Sequence, residues 1–147
     1  MSQQKFLMDA DHWQVSPAYD LADFFLALAE FAPADSTITL VCGSWSENLR
    51  SFLENVAVDH VKKGWIFTHE RYTIPISDQI MRELSCLASS HAAPEIASSI
   101  VVKHDAQKLV EWFDLPDDPI SIAPDVDENK VIQLATSIGA THKSIMI

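Results

Sequence analysis

Three groups of residues in the 147-residue chain have types and spacings that could do chemistry. The first is Cys42-Gly43-Ser44-Trp45-Ser46, between an apolar run and an amphipathic one. A strand-to-helix turn of this kind points backbone N–H groups at an anion, and a thiol beside them gains thiolate character. Cys42 or Ser44 could then act as a nucleophile, with His69 or His104 as its base. The G-x-S-x-G elbow is absent, because no glycine follows in the required frame. A structural role accounts for the same residues. Cys42 continues a buried strand, and Ser44 with Glu47 matches the S-x-x-E capping box.

The second group is a pair of similar endings, Thr68-His69-Glu70 and Lys103-His104-Asp105. Two histidines with adjacent carboxylates, joined by Cys42, would offer a Cys/His/His set to zinc or iron. The spacing matches no metal motif and H-E-x-x-H is missing, so the expectation is no metal and no cofactor. Asp105 then serves as a helix N-cap.

The third group is acidic. Glu111, Asp114, Asp117, Asp118, Asp125, Asp127 and Glu128 occupy one stretch with no Lys or Arg among them. Such a block is either a solvated face or a docking surface for a basic protein. Trp112 lies inside it, where an aromatic anchor could serve as a binding hot spot. Trp112, Asp114, Asp117, Asp118, Asp125 and Asp127 are therefore the candidate binding residues.

Composition narrows the classes. Lys plus Arg is 10 against 21 Asp plus Glu, a net charge of −11. That argues against nucleic acid and against an anionic membrane surface, both of which need clustered cations. Apolar residues make up 48%, as in a globular protein. One domain over residues 1–147 follows from the length. The three glycines, Gly43, Gly64 and Gly139, are too dispersed for G-x-G-x-x-G or a Walker loop. Cys42 and Cys86 form no C-x-x-C pair. With no signal-peptide pattern at Met1-Ser2-Gln3-Gln4-Lys5 and reduced thiols expected, the chain reads as cytoplasmic.

The elements that must position these groups follow from periodicity. Leu21, Phe24, Phe25 and Leu28 recur at helical spacing behind Ser16-Pro17. Leu49, Phe52, Leu53 and Val56 do so behind Ser44, and Ile80, Met81, Leu84 and Leu87 behind Ser77. Leu109, Val110 and Phe113 give a short helix behind Asp105, and Val131, Leu134, Ala135 and Ile138 another behind Asp125, with Gly139 as its C-terminal cap. Apolar, β-branched runs at 36–42, 65–69, 98–103, 119–123 and 144–147 read as strands. The run 72–76 reads as an edge strand or loop because of Pro75. Alternation of strands and helices predicts an α/β domain, a three-layer α/β/α sandwich with a mostly parallel sheet of about five strands. In such a sheet all strand ends share one rim, which would gather Cys42, Ser44, His69, His104 and Asp125. The functional expectation is a non-catalytic interaction domain of accessory, regulatory or inhibitor type, with an acidic docking face. The alternative is a small hydrolase or transferase-like enzyme using Cys42 or Ser44 with His69 or His104.

Overall fold

The computed structural model describes residues 6–16, 20–63 and 69–147. After a 3-10 turn at Leu7–Asp9, the chain runs β1 (His12–Ser16), α1 (Leu21–Phe31), β2 (Thr37–Cys42), α2 (Glu47–Val56), β3 (Asp59–Lys63), β4 (His69–Pro75), α3 (Asp78–Ala88) and α4 (Ala93–Ile96). It continues through β5 (Ser99–His104), β6 (Gln107–Phe113), β7 (Ile120–Ile122), α5 (Glu128–Ser137) and β8 (Thr141–Ile145). The strands form one eight-stranded sheet in the order β3-β4-β2-β5-β6-β7-β1-β8, and every neighbouring pair is antiparallel.

This overturns the expected five-stranded, mostly parallel, three-layer sandwich. The physical reason is interleaving. The helical crossovers do join strands that point the same way, but a third strand occupies the slot in three of them, and β5, β6 and β7 lie between the strands joined by α1. β2 and β3 flank β4, β4 and β5 flank β2, and β7 and β8 flank β1. These are split β-α-β units, and each inserted strand turns both of its neighbours antiparallel.

Three of the strands are ones the periodicity hides. The segment 105–113, expected as a helix behind Asp105, is a hairpin. Asp105 and Ala106 both have positive φ, 50° and 66°, and His104 pairs with Gln107 across them. Two positive-φ residues between paired strands make a I′-type turn. In β6, Val110 and Trp112 point to the helix side, opposite Val102 and Ile100, while Glu111 between them points to the other face. The segments 59–63 and 12–16, not read as strands, are β3 and β1. Tyr72–Ile76 is not at an edge either: β4 lies between β3 and β2, with Pro75 as its last residue. The expected strand residues 65–68 lie outside the described part of the chain.

One face of the sheet carries the helices. Ile38, Leu40, Tyr72, Ile74, Ile100, Val102, Val110 and Trp112 alternate inward and are buried against Phe24, Phe25, Leu28, Leu49, Leu53, Met81, Leu84, Val131 and Leu134. Each such side chain contributes about 1.5–3 kcal/mol on full burial. The intervening residues Thr39, Val41, Val101 and Lys103 are only partly buried, so the strands are not covered on both faces as their apolar runs suggested. The helix starts shift as well. Asp20 caps α1, Ser46 caps α2 and Asp127 caps α5, each accepting a first-turn N–H, where Ser16, Ser44 and Asp125 were expected. Ser77 caps α3, and Gly139 sits at φ 69° past α5, both as expected.

The hairpin makes a stability prediction. Ala106→Gly should raise the unfolding free energy by about 0.5–1 kcal/mol in urea titrations, because glycine accepts positive φ without the Cβ penalty. In a helix the same change would lower it by about 1 kcal/mol.

Candidate functional site

Antiparallel pairing sorts the candidates onto two ends of the sheet. Cys42 pairs with Glu70 at one end of β2, and Thr37 pairs with Lys103 at the other. Cys42, Ser44, the start of β4 at His69 and the β6–β7 loop with Asp114, Asp117 and Asp118 share the first end. His104 and Asp105 lie at the second, as do Asp125 and Asp127 after β7. The ends are about 20 Å apart, from the rise of a six- or seven-residue strand. The expected common rim is therefore divided, and His104 cannot serve Cys42 or Ser44.

The Cys42 side chain is 4% exposed, and its thiol points at the Ser44 and Pro94 carbonyl oxygens at 3.3 and 3.7 Å. Ser44 is exposed and leaves the capping of α2 to Ser46. His69 opens β4, and its side chain lies outside the described part. His104 is engaged locally, with Nδ1 at 3.4 Å from Ser36 Oγ and Nε2 at 3.3 Å from the Asp105 carboxylate. Among the described residues no group of three His, Cys, Asp or Glu side chains is placed to hold a metal ion.

The first end also holds a cluster that sequence reasoning missed. Glu70 is 2% exposed. Arg50, one helical turn past the start of α2, donates to both its carboxylate oxygens at 2.6 and 2.8 Å. His60 on β3 donates from Nε2 at 3.0 Å. The His60 ring stacks on Tyr72, with centroids 4.1 Å apart and planes 3° apart. Trp45 meets the same tyrosine edge-on, and its indole N–H donates to the Ile96 carbonyl at 2.7 Å. The Tyr72 hydroxyl donates to Glu54 at 3.2 Å. The Arg50 guanidinium holds the Glu70 carboxyl at about 2, against an ordinary value of 4.5, and outweighs the opposing effect of burial. Burial and Glu54 together push the Tyr72 phenol up. The groups in this cluster are spent on one another, so it ties α2 to β3 and β4 rather than awaiting a reactant. Glu70 entered the sequence reading only as a neighbour of His69. The pairing of strands 59–63 and 69–75, invisible in the pattern, is what brings His60 to it.

The acidic stretch divides three ways. Glu111 is buried on the sheet face away from the helices, paired with Lys108 at 2.9 Å and accepting the Leu7 N–H. Trp112 is 1% exposed, stacks edge-on against Phe24 and donates its indole N–H to the Asp118 carbonyl at 2.8 Å. It holds the β6–β7 loop from beneath and presents no surface. Asp114, Asp117 and Asp118 line an open depression of about 370 Å³ with Pro94, Ser98 and Leu115. None of the three forms an ion pair among the described residues. Asp114 ends β6 at φ 49°, not at a helix C-terminus. Its carbonyl accepts the Asp117 and Asp118 N–H groups, which closes the loop.

Compared with protein-family models, curated proteins and solved structures, the chain matches none. No helix among the described residues is long and apolar enough to cross a membrane.

The Glu70 cluster predicts an acid limit to stability. A carboxyl depressed in the folded state contributes stability that is complete above its ordinary value and lost as pH falls toward 2. Glu70→Gln should cost about 2–3 kcal/mol at pH 7, less than the 3–5 typical of a fully buried pair because Arg50 is 35% exposed and screened. Urea midpoints of wild type and variant should converge as pH drops from 4.5 toward 2.

Proposed function

We propose that the chain is an interaction domain that receives cationic side chains of a basic protein partner in the depression formed by Asp114, Asp117 and Asp118. The observation that carries this reading is the presence of three aspartates, without ion pairs among the described residues, in the lining of one open depression of a chain with net charge −11. Pro94 and Leu115 give the depression apolar wall, suited to the methylene stem of a lysine or arginine, and Ser98 adds a hydroxyl. The partner's field would be complementary over the whole approach, which raises the association rate and disfavours acidic competitors. Asp125 and Asp127 lie at the far end of the sheet and take no part. Trp112 contributes by fixing the loop through its bond to Asp118.

The test is titration of the full chain with a fluorescent ten-residue Lys/Arg-rich peptide at several ionic strengths. Replacing Asp114, Asp117 and Asp118 together by Asn should weaken binding about tenfold and flatten its salt dependence, at the roughly 0.5 kcal/mol or less typical of surface changes in stability. Asp125→Asn with Asp127→Asn should leave binding near wild type. Equal loss in both variants would reduce the depression to part of a general negative field, and no loss in the triple variant would remove it from recognition.

A further inference from the structure

We propose that Ser46 and His91 are a nucleophile and its general base, and that they hydrolyse small carboxylic esters. The inference uses no residue of the acidic depression and stands apart from the docking reading. Ser46 Oγ lies 3.0 Å from His91 Nε2. His91 Nδ1 lies 2.7 Å from the Leu87 carbonyl oxygen. A carbonyl oxygen only accepts, so Nδ1 carries the hydrogen, and in the neutral ring Nε2 is left as an acceptor. The Ser46 hydroxyl must then donate to it. This is the order that general-base activation of a serine requires: hydroxyl to imidazole, with the far ring nitrogen anchored by an acceptor. Ser90 Oγ reinforces the anchor, 3.3 Å from Nδ1 and donating to the Leu87 carbonyl at 3.0 Å.

Space for a substrate adjoins His91. His91 lines a depression of about 250 Å³ together with Leu21, Ala22, Ala88 and Ala93 and the polar Asp20 and Ser89. A depression of that volume, with small alanine walls and a polar rim at Asp20 and Ser89, suits a short acyl group and excludes a bulky one. Ser46 is exposed and immediately precedes α2, where the Glu47 and Asn48 N–H groups have no acceptor within the helix and can meet a developing oxyanion.

The chemistry closes without a co-reactant other than water. Ser46 Oγ bonds to the ester carbonyl carbon as its proton passes to His91 Nε2. The carbon–oxygen bond to the alcohol breaks, and the alcohol leaves with that proton. Water then attacks the acyl-Ser46 ester and gives one proton to His91, which returns it to Ser46 Oγ as the carboxylic acid departs. One ester and one water yield one acid and one alcohol. Cys42, the nucleophile suggested by sequence, faces two carbonyl oxygens instead and has no part in this.

The experiment treats the full chain with a fluorophosphonate, which phosphonylates an activated serine and releases fluoride, and maps the adduct by peptide mass. Turnover of p-nitrophenyl acetate is followed in parallel. The expected result is one adduct, on Ser46, together with ester turnover. Ser46→Asn retains an N-cap acceptor and removes the hydroxyl, so it should abolish both. His91→Gln should slow labelling by about 100-fold or more, the usual contribution of a general base. Labelling of native against urea-unfolded wild type covers the case in which a variant fails to fold, since only the native chain should react at Ser46. No adduct on Ser46 in native wild type, equal labelling after unfolding, or wild-type labelling in a folded His91→Gln chain would each overturn the proposal.

Discussion

The structure depends on one constraint: the crossovers through α2, through α3 and α4, and through α5 join strands of the same direction but leave a strand-wide gap, and another strand fills it. β4 enters between β2 and β3, β2 between β4 and β5, and β1 between β7 and β8. The sheet is thereby wholly antiparallel while the connections remain those of a β-α-β protein. Strands β1, β2, β3 and β6 end at one end of the sheet and β4, β5 and β7 at the other, so which residues can act together is decided by strand direction and not by proximity in sequence.

That sorting explains both the site and its economy. The Glu70 carboxylate is buried because Cys42 and Tyr72 carry the same inward face up to the end of the sheet, and it stays charged because Arg50 reaches it from α2. The pair anchors the start of α2 beside the β4 end, and Ser46 is the residue from which that helix begins. Trp45, wedged on Tyr72 and bonded to the Ile96 carbonyl, fixes the turn between Cys42 and Ser46 against α4. The first residues of α4 separate two depressions, with Ala93 lining the one beside His91 and Pro94 the acidic one. Positions that sequence reasoning treated as unrelated are thus held at one end of the molecule by a shared scaffold.

Helices with strong apolar spacing were legible: α1 and α5 bury the residues their periodicity marks, while α2 buries Leu49 and Leu53 and α3 buries Met81 and Leu84, with Phe52, Val56, Ile80 and Leu87 only partly covered. Strands β2 and β5 were legible from their β-branched runs. The segment 107–113 was misread because Leu109, Val110 and Phe113 satisfy a helical spacing while the strand's inward face is carried by Val110 and Trp112, and because Asp-Ala lacks the glycine that usually marks a two-residue hairpin. The strand 59–63 reads Asp-His-Val-Lys-Lys, with the polar and lysine content of an unpaired sheet edge, and so carries no apolar signal. The site followed the same pattern. Ser46 was visible at a strand–helix turn, but its partner His91 lies 45 residues away in a segment without periodicity. Trp112 was noticed as an aromatic within acidic residues, yet its alternation with Val110 marks it as core.

The measurement that tests the antiparallel interleaving most directly is nuclear Overhauser contact between α-protons on neighbouring strands. Opposed residues in antiparallel pairs bring α-protons close at every second position, a pattern parallel pairing does not produce. Such contacts are expected between β2 and β5, in the register that sets Thr39 opposite Val101 and Leu40 opposite Ile100, and between β5 and β6, where Ile100 faces Trp112. Absence of these contacts, with sequential amide–amide contacts of a helix across residues 107–113, would contradict the antiparallel interleaving.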